Sequence, residues 1–161
     1  MQKRIILDLD LCCGCRSCEA ACKAAFKGEA RIRHADIDGV AYLPLACRHC
    51  KQPLCLAACP VEAITKDEVT GLVVRSSFTC IGCRSCAFAC PFGVIDVPLV
   101  RHVSQKCNLC SDREQGPRCV AACSSGALQW LSDEEIERHE VGMRLVSKDQ
   151  FFRRIDHSQS G

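Results

Sequence analysis

The chain has 161 residues, a net charge of +2 and 17 cysteines, enough length for one domain or two very small ones. Hydrophobic residues reach 48% only with the cysteines counted, and aromatics are 5%, so disulfides or metal must supplement a thin core. No run approaches the roughly 20 apolar residues of a membrane span, no leader-like apolar stretch opens the chain, and no basic run marks a nucleic-acid surface. A cytoplasmic, reducing setting follows, and there disulfides are disfavoured; the odd cysteine count points the same way.

In chain order, sixteen cysteines fall into four groups of four. Group one is Cys12, Cys15, Cys18 and Cys22, spaced C-x2-C-x2-C-x3-C. A compact connector, residues 23–46, leads to group two, Cys47, Cys50, Cys55 and Cys59, spaced C-x2-C-x4-C-x3-C. Ala63–Val74 then reads as two short strands around the turn residues Asp67–Gly71, a hairpin. Group three, Cys80, Cys83, Cys86 and Cys90, repeats the spacing of group one. Group four is Cys107, Cys110, Cys119 and Cys123, spaced C-x2-C-x8-C-x3-C. Only Cys13 is left over, and it is expected to be a small buried side chain beside its neighbours.

This internal repeat comes before any other reading. C-x2-C-x2-C-x3-C is the bacterial spacing for a [4Fe–4S] cluster: three thiolates on a tight turn seat three corners, and the fourth cysteine reaches a different cluster. That cysteine is expected to open a short helix. Structural zinc is the competing reading, but a zinc site takes four ligands and gains nothing from a third cysteine in the same turn. The hairpin joins groups two and three into one compact unit, so groups one and four pair around it. Ala-Ile after Cys59 and Ala-Leu after Cys123 sit at the same offset, so both units should close alike.

CRHCKQPLCLAACP (47–60), CIGCRSCAFACPFG (80–93) and KCNLCSDREQGPRCVAAC (106–123) resemble the four-cluster electron-transfer subunits of dimethyl-sulfoxide reductases, formate dehydrogenases and related molybdenum or tungsten enzymes. The resemblance spans about residues 4–130 and implies four [4Fe–4S] clusters in a roughly linear row. Carried over residue by residue, it assigns Cys12, Cys15, Cys18 and Cys123 to one cluster, and Cys47, Cys50, Cys55 and Cys90 to a second. A third takes Cys80, Cys83, Cys86 and Cys59; the fourth takes Cys107, Cys110, Cys119 and Cys22. His49 and Lys106 become hydrogen-bonding or charged neighbours of the clusters, not ligands.

The implied fold is α+β, a double bacterial-ferredoxin-like arrangement of two interleaved two-cluster units with short hairpins and helices. Residues 1–30 plus 100–130 form the outer unit, 44–98 the inner unit, and 131–161 a C-terminal extension suited to docking. The short connector and the lack of an anchoring helix make the chain most similar to the small soluble subunit of tungsten aldehyde oxidoreductase complexes. The implied partners are a large tungsten- or molybdenum-pterin catalytic subunit, a flavin subunit handling NAD, and further copies of the chain itself. The alternatives are a freely diffusing polyferredoxin, or a relay for a hydrogenase, formate dehydrogenase, carbon monoxide dehydrogenase or ring-reducing tungsten enzyme. No catalytic constellation stands outside the four groups, so any organic chemistry belongs to a partner.

Arg16, Arg48, Arg84 and Lys106 adjoin ligand cysteines and are placed to offset cluster charge, which at −2 per cluster would bring the chain near −6. His34, His102, His139 and His157 read as surface residues. Ser132 and Glu135 form a capping box, as do Ser147 and Gln150. Residues 141–146 between them read as a strand, Phe151 and Phe152 as a docking or packing element, and 157–161 as a disordered end.

Overall fold

The computed structural model describes residues 3–26, 29–39, 41–95 and 106–138. Within them lie β1 (Lys3–Leu7), α1 (Ser17–Ala25), β2 (Arg33–Ile37), β3 (Ala41–Leu45), α2 (Leu54–Ala57), β4 (Ile64–Lys66), β5 (Val73–Arg75), α3 (Ser85–Phe88), α4 (Arg118–Ala121), β6 (Leu128–Ser132) and α5 (Asp133–Arg138). The chain is α+β, and its six strands form three separate antiparallel pairs. The expectations for residues 141–161, including the Ser147–Gln150 box, Phe151 and Phe152, fall outside the described residues, as do His102 and His139.

β4 and β5 are the expected hairpin, with Ile64 opposite Arg75 and Lys66 opposite Val73. Its turn is tied by the Asp67 carboxylate, which accepts from the backbone N–H of Val69 and Thr70 and from the Thr70 hydroxyl. β1 pairs with β6, Leu7 opposite Leu128 and Lys3 opposite Ser132. The two pairs share their closing bonds. The carbonyl of Ala63, just before β4, accepts from Ser76 N–H at 2.8 Å; that of Ala127, just before β6, accepts from Asp8 N–H at 2.7 Å. Both alanines are buried.

Neither β1–β6 nor β2–β3 was expected. β2–β3 lies inside the connector, Ile37 opposite Ala41, and turns through Asp38 and Gly39, both at positive φ. Asp-Gly flanked by strand residues is a hairpin signal in its own right.

Two apolar clusters form the core. One gathers Cys55, Ile64, Val73, Cys86 and Ala87; the other gathers Cys18, Cys22, Ile32, Cys119 and Leu128. Cysteines from groups two and three share the first, and cysteines from groups one and four share the second, where α1 packs on α4.

One expectation is corrected. The short helices do not follow the fourth cysteines. Each contains the third cysteine, and three of the four end before the fourth. Pro60 and Pro91 directly follow Cys59 and Cys90. A proline disfavours helical geometry in the residue before it and cannot donate to a helix, so the chain turns there. Only α1 runs through its fourth cysteine, Cys22; α4 ends at Ala121 although Ser124 and not proline follows Cys123.

Candidate iron–sulfur centres

Each cysteine group begins with C-x2-C, and the residue before the second cysteine is left-handed in all four. These are Gly14 (φ 68°), His49 (φ 44°), Gly82 (φ 71°) and Leu109 (φ 55°). The reversal curls the turn so that both flanking sulfurs face one side, which is what a ligand loop requires. Glycine adopts it freely, whereas a side chain is strained there and must be held. The route into the helix then differs. In groups one and three a second left-handed residue, Arg16 or Arg84, caps α1 or α3. In groups two and four an extended proline, Pro53 or Pro117, caps α2 or α4. All four routes put the third cysteine at the second helical position, where Cys18, Cys55, Cys86 and Cys119 are buried.

The structure brings the cysteines together in quartets. One small cavity is lined by Cys47, Cys50, Cys55 and Cys90. A second is lined by Cys59, Cys80, Cys83 and Cys86. Cys123 lies close enough to raise the thiols of Cys12 and Cys18; Cys12 also acts on Cys18, and Cys13 and Cys15 act on Cys12. Cys22 and Cys110 act in the same way on both Cys107 and Cys119. Cys47 also acts on Cys107, so the quartets containing them are neighbours.

All seventeen cysteines are free thiols. Burial, reinforced by neighbouring sulfurs, pushes Cys107 and Cys119 up to about 12 and Cys18 to about 11. Sulfurs so placed hold their protons unless a cationic core replaces them, which is the linkage expected of a metal site. Hydrogen bonds with Ser17 and Ser85 hold the solvent-facing Cys15 and Cys83 below the usual thiol range. Among the described residues, no three Cys, His, Asp or Glu side chains converge tightly enough for a single ion. A mononuclear zinc needs its sulfurs about 2.3 Å from one centre, whereas a cubane spreads its four iron corners. The donor set fits the cubane.

Three fourth cysteines accept backbone N–H bonds at sulfur: Cys22 from Arg31 at 3.1 Å, Cys59 from Ala63 at 3.2 Å and Cys123 from Leu128 at 3.3 Å. Bonds to sulfur tune iron–sulfur sites. Lys106 eases ionisation of Cys55 and Cys50, and the buried Arg75 does so for Cys86. Arg75 was missed because it belongs to β5 and adjoins no cysteine in sequence. Arg16 and Arg84 are exposed helix caps.

His49 and Lys106 grip the same buried residue from opposite sides. Val73 N–H donates to His49 Nδ1 at 2.8 Å, and Lys106 Nζ donates to the Val73 carbonyl at 2.9 Å. That bond fixes the neutral ring with its proton on Nε2, a buried atom turned toward the Cys107 backbone. Burial, then the Lys106 charge, hold the imidazole down to about 4. His49 thereby ties the second cysteine group to the inner hairpin and lies against the start of group four. Two smaller expectations are corrected. Cys13 is exposed; the turn directs Gly14 inward against the Tyr42 ring, and its neighbour outward. His34 is half-buried beside Tyr42.

A family model described as a 4Fe-4S dicluster domain matches residues 38–133. The chain belongs to the 4Fe-4S dicluster domain family. It is 35% identical to YsaA of Escherichia coli K12, which carries the name of an electron transport protein, over 91% of this chain and all of that one. Identity to formate hydrogenlyase subunit 2 of the same strain is 32%, over 86% of both chains. Identity to the electron transport protein HydN is also 32%, over 86% of this chain and 93% of that one. The dicluster match contains groups two, three and four, and group one precedes it. No helix among the described residues is long and apolar enough to cross a membrane.

Proposed function

We propose that this chain is a non-catalytic electron relay of four [4Fe–4S] clusters, serving a partner oxidoreductase. The observation that carries the reading is the sorting of sixteen cysteines into four quartets, with Cys47 of one next to Cys107 of another. A bound cluster supplies reversible one-electron storage. The chain's own residues supply the thiolates, the N–H donors to sulfur, the cations Arg75 and Lys106, and an apolar surround that limits solvent. The ligand sets are those named above: Cys12, Cys15, Cys18 with Cys123; Cys22 with Cys107, Cys110, Cys119; Cys47, Cys50, Cys55 with Cys90; Cys59 with Cys80, Cys83, Cys86. In this reading the inner unit lies within 44–98 and the outer within 1–30 and 100–130, a double ferredoxin.

Similarity to formate hydrogenlyase subunit 2 supports a partner of the formate or hydrogen type over a tungsten aldehyde oxidoreductase, which rests on the resemblance alone. The large exposed side chains Phe78, Ile81 and Phe88 lie on the segment carrying Cys80, Cys83 and Cys86, as a contact with a subunit would require. Anaerobic affinity purification from the native host tests both levels. About sixteen irons per chain, four per cubane, together with a co-purifying molybdenum, tungsten or nickel enzyme, is the expected result. Iron without a partner supports the freely diffusing carrier, and zinc in place of iron overturns the proposal.

A further inference from the structure

A groove of about 490 Å³ opens beside Cys47 and Cys50, between the second cysteine group and the β1–β6–α5 face. Lys3, Arg4, Arg48 and Lys51 line it, and its one carboxylate, Asp133, is already paired with Arg4 at 3.0 Å. Two cations are held by rings: Lys3 over Trp130 at 5.1 Å and Arg48 over Phe92 at 4.8 Å. Stacking orients a cation without neutralising it; Arg48 also faces the charge a cluster on Cys47 and Cys50 would carry, which leaves the exposed Lys3 and Lys51 as the cations the groove offers to a partner. A chain with a net charge of only +2, near −6 with its clusters, has gathered them in one place. The chain's own last segment, 139–161, does not supply the missing acid, since Glu140, Asp149 and Asp156 are outnumbered by Arg144, Lys148, Arg153 and Arg154.

We propose that this groove docks an acidic segment of a redox partner beside the Cys47–Cys50 turn, so that electrons enter or leave at the quartet of Cys47, Cys50, Cys55 and Cys90. The inference rests on the relay reading and adds to it the port and the partner's charge. Complementary charge of this kind steers encounter and fixes orientation, and its reach is about 10 Å at 0.1 M salt.

The test uses the anaerobically purified holo chain and a fluorescein-labelled twelve-residue polyglutamate peptide as probe, read by anisotropy over a salt series. Wild-type protein is expected to bind at low salt and lose the probe as salt rises. The double variant K3Q/K51Q is expected to lose about fivefold or more in affinity, with K51Q alone between them. The control K23Q/R113Q removes the same charge outside the groove and is expected to change affinity less than twofold. Cluster potentials, read by a redox titration followed by electron paramagnetic resonance, should stay in place in K3Q/K51Q. The proposal is overturned if wild type ignores the probe, if the control loses as much, or if potentials shift while binding does not. Iron assay on the same sample separates the two readings. Iron with no probe binding removes the groove and spares the relay. Probe binding without iron removes the relay and leaves an acid-binding surface.

Discussion

The β4–β5 and β1–β6 pairs are the same device closed in two ways. Each follows a proline-capped cysteine group on one strand and precedes an arginine-capped group on the other. In each, a buried alanine carbonyl takes the closing bond. In the inner pair the strands are joined by the short Asp67 turn. In the outer pair they come from opposite ends of the described chain, Leu7 facing Leu128. The loop between the strands is about twenty times longer, 8–127 against 67–72, and at about 0.6 kcal/mol per doubling it costs about 2.6 kcal/mol more to close. The ties differ to match. The inner pair relies on its turn, His49 and Lys106. The outer pair carries the Arg4–Asp133 ion pair, Lys3 over Trp130, and a reciprocal cap at the start of α5. The long-range closure thus has its own fasteners.

The largest perturbation should abolish the comparison. Ligand cysteines sit in both apolar clusters, so stripping iron with a chelator is expected to unfold both halves, read as loss of secondary structure by circular dichroism. An apo chain with a cooperative, native-like transition would contradict it. Gly116→Ala should strike the outer half. Gly116 stands at φ 83°, and an added methyl would run into the Trp130 ring. The expected loss is about 2–4 kcal/mol, with hydrogen exchange rising first in β1 and β6.

His49→Ala should strike the inner half. It strips the acceptor from the buried Val73 N–H, costing about 1–3 kcal/mol before cavity effects, with exchange rising first at Val73. An exchange pattern identical to that of Gly116→Ala would show that the halves unfold as one. Ser132→Ala should remove about 1 kcal/mol. Its hydroxyl accepts from Glu135 N–H, and its own N–H donates to the Glu135 carboxylate. Acid is the mildest probe. Bonds from Ser132 hold the Glu135 carboxyl below its usual value of 4.5. Its contribution is therefore complete above that value and lost as pH falls through the depressed one. Wild type should lose the outer seam's protection on acidification, and Glu135→Gln should flatten that dependence.

The sequence reading follows the locality of the information. C-x2-C and its third cysteine are fixed by neighbours a few residues apart, so the turns, the inner hairpin and the Ser132–Glu135 box were legible. β1–β6 was not, because nothing in Arg4 or Ile5 specifies a partner at Leu131 or Trp130. Arg75 was hidden for the same reason, since its effect on Cys86 exists only once β5 is folded. The β2–β3 hairpin is legible in Asp38–Gly39, a weaker signal than the cysteine spacing on either side of it. The misplaced helices came from treating the fourth cysteine as a starting point, whereas the prolines behind Cys59 and Cys90 mark a stop.

The β1–β6 pair has one more consequence. Because Lys3 faces Ser132, the start of β1 and the end of β6 lie side by side. A segment joined ahead of Lys3 would emerge at that seam, beside the groove that Lys3 and Asp133 share with the second cysteine group.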